Sequence, residues 1–175
     1  VDAGLLGDRD DGAVELLAER LSGRQALGLR RLELGATGLE SDVWLTADGI
    51  AVLDHDGVVR RGVRKRPISE FRRDELPAHI PTLAELLDTC GTGYALSLDL
   101  KDPDSASVIV DTIRAVDADM LERVWLCEAS LNRVIELRAL FDEGGRTPIR
   151  LLQTTRLDRI KGTPERRAEY LARHD

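Results

Sequence analysis

Cysteine and histidine are scarce in this chain of 175 residues: Cys90 and Cys127 are the two thiols, and His55, His79 and His174 the three imidazoles. Cys90 closes an expected helix and Cys127 ends an expected strand, so no disulfide framework is suggested. Thiols this few fit a reducing, cytoplasmic compartment. No apolar run reaches the roughly 18 residues that a transmembrane helix requires, and no secretory signal pattern is visible. Low-complexity segments and strict repeats are absent too. Positive charge is outnumbered, with 25 Lys and Arg against 32 Asp and Glu, a net −7, and an isoelectric point near 5.1. That balance argues against a general nucleic-acid or anionic-membrane binder. The local exception is Arg60-Arg61-Gly62-Val63-Arg64-Lys65-Arg66, followed by Arg72 and Arg73. It reads equally as a solvated basic loop or as an attractor for a phosphate-bearing substrate.

What the chain does contain is a rhythm of short apolar strands and amphipathic helices. Hydrophobic residues make up 42% and charged residues 33%, enough for one soluble globular domain over residues 1–175. Strands are expected at Gly38–Thr46, Ile50–His55, Tyr94–Lys101, Arg123–Cys127 and Ile149–Gln153, with a poor further candidate at Ala3–Leu6. Helices are expected over Gly12–Leu34, weakened by Gly23 and Gly28, and over Leu83–Thr89 behind a Pro81-Thr82 cap. Three more follow. Ala106–Val116 carries an apolar stripe at Val108, Ile109, Ile113 and Val116, Leu131–Phe141 stops at Gly144-Gly145, and Pro164–Arg173 is charged. Such alternation predicts an α/β fold with a parallel sheet and right-handed crossovers.

Two strands carry the chemistry. In Gly38–Asp56 the carboxylates Glu40 and Asp42 stand two apart, and residues at i and i+2 of a strand share a face at about 6.6 Å. They can therefore converge on one hard cation, Mg²⁺ or Ca²⁺, although a solvated strand face has the same pattern. In Tyr94–Lys101, Ser97, Asp99 and Lys101 lie on one face and Leu96, Leu98 and Leu100 on the other. A carboxylate for a metal beside an ammonium for an anion suits a phosphate ester bound to a cation. A surface ion pair is the plainer reading of either strand alone.

Taken together these residues resemble the glycerophosphodiester phosphodiesterase family. Five motifs carry the resemblance in order: Glu40-Ser41-Asp42, Thr46-Ala47-Asp48-Gly49, His55-Asp56, Pro81-Thr82-Leu83-Ala84-Glu85-Leu86 and Asp99-Leu100-Lys101. The resemblance implies a (β/α)₈ TIM-barrel fold with its active site at the C-terminal strand ends. It implies that Glu40, Asp42 and Asp99 hold a divalent cation, that His55 is an acid/base group, and that Lys101 steadies phosphoryl charge. The implied reaction is metal-dependent hydrolysis of a small-molecule phosphodiester to glycerol 3-phosphate and an alcohol. A short insertion at about 57–80 would shape the glycerol side of the pocket.

The chain departs from the family pattern in three places. No His-Arg strand precedes Glu40, and Asp8-Arg9 is the nearest match. Asp99 replaces a usual glutamate. The length falls short of the roughly 250 residues of eight strand–helix units. About five or six units are expected, as in a fragment lacking the last two or so. The alternative function is a catalytically impaired relative that binds metal or phosphate, and a different phosphate-handling barrel is a third. Glu128, Gln153 and Thr154, at strand ends, and His79, in a loop, are read as structural. Trp44 shares a face with Glu40 and Asp42 and is expected on the site floor.

Overall fold

The structure is a computed structural model that describes residues 23–62, 64–142 and 148–154, with 163, 165, 166 and 169 singly. The candidate strand Ala3–Leu6, the first half of the expected Gly12–Leu34 helix, Gly144-Gly145 and most of the expected C-terminal helix lie outside the described residues. In chain order the elements are α1 (Gly23–Glu33), β1 (Gly38–Leu45), β2 (Ala51–Leu53), β3 (Val58–Arg61), β4 (Arg64–Pro67), α2 (Leu83–Cys90), β5 (Ala95–Leu100), α3 (Ser105–Val116), β6 (Val124–Glu128), α4 (Leu131–Leu140) and β7 (Arg150–Gln153). Short 3₁₀ turns occupy Ile68–Glu70, Arg73–Glu75 and Ala118–Arg123.

One sheet runs β2-β1-β5-β6-β7. β1, β5, β6 and β7 are parallel, with α2, α3 and α4 in the connections between them. The outward-alternating residues form the main core with those helices. Val43, Leu96, Leu98 and Leu126 are fully buried against Leu83, Ile109 and Ile113, each such side chain contributing about 1.5–3 kcal/mol. Among the described residues the sheet stays open, as an incomplete barrel should.

β2 corrects the sequence expectation. It pairs antiparallel with β1, Val43 opposite Leu53 and Leu45 opposite Ala51, and so is not a barrel strand. The five residues between them are too few for a crossover, which needs a dozen or more. They fold instead as a tight turn: Thr46 Oγ1 donates to Asp48 Oδ1 at 2.7 Å and accepts from Ile50 N at 2.9 Å, and Gly49 has φ 75°.

The helix starts follow their sequence signals. Thr82 Oγ1 accepts from Glu85 N at 3.0 Å, and Glu85 Oε2 accepts from Thr82 N at 2.7 Å, the reciprocal cap of α2. In α3 the buried face is Ala106, Ile109, Val110 and Ile113, whereas Val116 is 50% exposed rather than part of the stripe. Asp117 ends the helix there, and the following 3₁₀ turn carries Met120 and Leu121 into the core instead. Residues 57–80 share a small core with β2: Val52, Val59, Ile68, Phe71, Leu76 and Ile80, with Trp44 packed against it.

Candidate active site

Strand alternation decides which side chains of β1 meet. Val43 points to the helix side and is fully buried, so Glu40, Asp42 and Trp44 point to the opposite face. The parallel register sets Asp42 beside Asp99 and Glu40 beside Ser97, and on the next strand Asp99 beside Cys127. Neighbouring strands lie about 4.8 Å apart and paired residues share a face. Carboxylate oxygens of Glu40, Asp42 and Asp99 therefore come within 4.8 Å of one another. Lys101, one residue past β5, reaches back with Nζ 2.9 Å from Asp42 Oδ1 and 3.1 Å from Asp99 Oδ2.

The charge balance of this cluster favours a cation. Burial pushes the Glu40 carboxyl up, and the negative charges of Asp42 and Asp99 push it further, against smaller opposing effects of Lys101 and His55. Hydrogen bonding to Asp42 leads the effects that hold the Lys101 ammonium above its ordinary value, with Asp99 adding to it and burial opposing. Oxygens sharing one Mg²⁺ or Ca²⁺ at about 2.0–2.6 Å stand roughly 3–5 Å apart. Three hard oxygen donors within 4.8 Å of one another meet that requirement without rearranging the sheet.

His55 lies just beyond β2, its side chain 81% exposed, with Nδ1 3.0 Å from Asp56 Oδ1. Its charge acts weakly on Glu40, lowering that carboxyl against burial. The turn holding it is fixed by Asp54, which is 5% exposed. Asp54 Oδ2 accepts from Asp56 N at 3.0 Å and Gly57 N at 2.9 Å, and its carbonyl accepts from Trp44 Nε1 at 2.8 Å. Trp44 thus faces the site side as expected. It walls the rim under the 57–80 segment rather than forming a floor.

The sequence reading missed Asp54 and Cys127. An aspartate two and three residues before amides in a Gly-containing turn is a local signal that could have found Asp54. Cys127 had none, because its place beside Asp99 depends on the register of β6. Its thiol is 4% exposed and lies 3.4 Å from Ser97 Oγ. Burial raises it, and Asp99 and Glu40 add to the rise against the Ser97 hydrogen bond.

The residues read as structural have backbone partners or lie in a loop. Glu128 Oε1 accepts from Ser130 N at 2.8 Å at the start of α4. Gln153 Nε2 donates to the Ala129 carbonyl at 3.0 Å, and Thr154 N to that of Glu128 at 3.0 Å. His79 is exposed in the loop before Pro81.

Residues 30–136 match the model of the glycerophosphoryl diester phosphodiesterase family. The chain belongs to this family. A search of curated proteins finds no significant match. Solved structures of similar fold include a protein from Silicibacter pomeroyi assigned as a glycerophosphoryl diester phosphodiesterase. The two share 20% identity at a TM-score of 0.64, over 79% of this chain and 64% of that one. A glycerophosphodiester phosphodiesterase from Thermotoga maritima shares 21% identity at a TM-score of 0.56, over 64% and 50% of the two chains. A phosphodiesterase from Oleispira antarctica, in complex with the product sn-glycerol-3-phosphate, also shares 21% identity at a TM-score of 0.56, over 87% and 70%. At these identities the likeness is one of fold, and it joins this family member's open parallel sheet to the barrels. The chain spans less than two thirds of the length of the first two structures. No helix among the described residues is long and apolar enough to cross a membrane.

Proposed function

We propose that this chain carries the metal-binding and phosphate-facing part of an enzyme that hydrolyses glycerophosphodiesters to glycerol 3-phosphate and an alcohol. The observation that carries the reading is the convergence of Glu40, Asp42 and Asp99 within 4.8 Å, with the Lys101 ammonium against two of them, in a chain of this family. In this reading the three carboxylates hold a divalent cation, Mg²⁺ or Ca²⁺. When bound, that cation withdraws charge from a phosphoryl oxygen and makes phosphorus more electrophilic.

The chain's own residues supply the rest. Lys101, at the end of β5, offers N–H donors to a non-bridging phosphoryl oxygen, where negative charge grows in the transition state. His55 moves the proton. In the tautomer with Nδ1–H toward Asp56, Nε2 takes a proton from an attacking hydroxyl and, once protonated, gives it to a leaving alkoxide. Asp56 is the positioning residue that fixes this tautomer. The family assignment and this grouping of charge and imidazole favour hydrolysis over a role confined to binding. A cytoplasmic location belongs to the same proposal.

Release of glycerol 3-phosphate from glycerophosphocholine, with Mg²⁺ or Ca²⁺ supplied, tests the reading. Glu40→Ala and His55→Ala should each lower the rate at least tenfold. An active protein that neither change slows would refute the assignment of the site.

A further inference from the structure

The 57–80 segment holds cations that the fold has left facing each other, Arg60 opposite Lys65 and Arg61 opposite Arg64. In the β3–β4 hairpin the register sets Arg60 opposite Lys65, where paired Cα atoms lie about 4.5–5.5 Å apart. Like charges directly across a ladder are destabilising, so the pair calls for an anion. Arg66, Arg72 and Arg73 already have theirs. Arg66 pairs with Glu70 at 2.7 Å and stacks on Phe71 at 4.6 Å. Arg72 lies 3.6 Å from both Asp48 and Asp74, and Arg73 lies 3.0 Å from Glu85. Arg60 and Lys65 are exposed and have no ion pair among the described residues.

Their position relates them to the candidate active site. Val59 is buried in the small core, and alternation places Arg60 and Lys65 on the opposite face of the hairpin from it. The base of the hairpin is locked to the site face of β1, because Gly57 lies flat against the Trp44 ring, with no room for a Cβ. The charges of Arg60 and Lys65 also reach Asp56, next to His55. An anion held by this pair would sit beside the His55–Asp56 corner.

We propose that Arg60 and Lys65 receive a second anionic group on the alcohol side of the diester, a phosphate or carboxylate beyond the scissile phosphate. This segment then meets the alcohol rather than the glycerol, and the preferred substrates are diesters carrying this extra charge. The assignment rests on the function proposed above and narrows its substrate class. A guanidinium fork with an ammonium point charge beside it suits phosphate oxygens. A membrane surface fits less well. The net charge is −7, and none of the exposed large apolar residues among the described ones belongs to the hairpin.

The test is a matched pair of ligands, glycerophosphoinositol and its 4-phosphate, titrated calorimetrically in EDTA, where hydrolysis does not intervene. The 4-phosphate should bind at least tenfold more tightly. Arg60→Gln with Lys65→Gln should erase that preference while leaving glycerophosphoinositol binding within twofold and the melting temperature unchanged. Arg64→Gln, on the other face of the hairpin, should retain the preference. A preference below threefold, unmeasurable binding of the 4-phosphate, persistence in the double variant, or equal loss in Arg64→Gln overturns the proposal. So does vesicle binding to phosphatidylglycerol without preference for the soluble 4-phosphate. Failure to hydrolyse either diester with Mg²⁺ counts against the proposed function alone, because the binding comparison does not depend on turnover.

Discussion

Replacing Gly57 with alanine probes the contact that sets the 57–80 segment against the site. Gly57 has φ 66°, and a Cβ there would fall 2.3 Å from Trp44 Cζ2, 2.4 Å from Cε2 and 2.7 Å from Cη2. The ring cannot yield cheaply, because Trp44 Nε1 donates to the Asp54 carbonyl at 2.8 Å in the turn that also holds Asp56 and Gly57. Gly49→Ala is the control. Its φ is 75°, but nothing lies within 4 Å of its Cβ position. Left-handed backbone costs an alanine about 1–2 kcal/mol, and Gly49→Ala should cost only that. Gly57→Ala adds overpacking, about 1–3 kcal/mol, and a lost hydrogen bond of about 1 kcal/mol, for a total of about 3–6 kcal/mol. At about 2–4 °C per kcal/mol for a chain of this size, Gly57→Ala should lower the melting temperature by roughly 6–24 °C and Gly49→Ala by roughly 2–8 °C. Tryptophan fluorescence should shift in the first variant alone. Equal melting temperatures for the two variants, or an unmoved spectrum in Gly57→Ala, would refute the packing argument.

Three further outcomes are expected. Asp99→Asn should weaken binding of Mg²⁺ or Ca²⁺ at least tenfold by calorimetry, since it removes one of three converging charges; unchanged affinity would place the cation elsewhere. Burial pushes the Glu85 carboxyl up, but bonds from the Thr82 amide and the Arg73 guanidinium outweigh it and hold the group below 4.5. Its contribution to stability is therefore full above the unfolded value and lost as pH falls through the folded one. Glu85→Gln should flatten the pH dependence of stability below about pH 4.5, and a slope matching the parent would contradict the cap. Burial raises both thiols, and Cys127 at 4% exposed should react with a disulfide reagent at pH 8 more slowly than half-buried Cys90, the reverse order being incompatible with this packing.

Local chemistry wrote much of this molecule into the sequence. Alternation alone places Glu40 with Asp42 and Asp99 with Lys101, because a pleated strand has a period of two whatever surrounds it. Thr82 and Glu85 cap α2 by a bond pattern complete within four residues. Five ordered motifs were enough to identify the family. Contacts between distant segments are different, because they depend on register and on chain reversals that no single strand encodes. Only the fold brings Asp99 beside Asp42 and puts Cys127 next to it, and only the short Thr46–Ile50 turn makes β2 an antiparallel edge strand. The opposed Arg60 and Lys65 likewise emerge from hairpin pairing, since in the sequence they are two members of one basic run. The strands fix which face each side chain takes, and packing between strands fixes which faces meet.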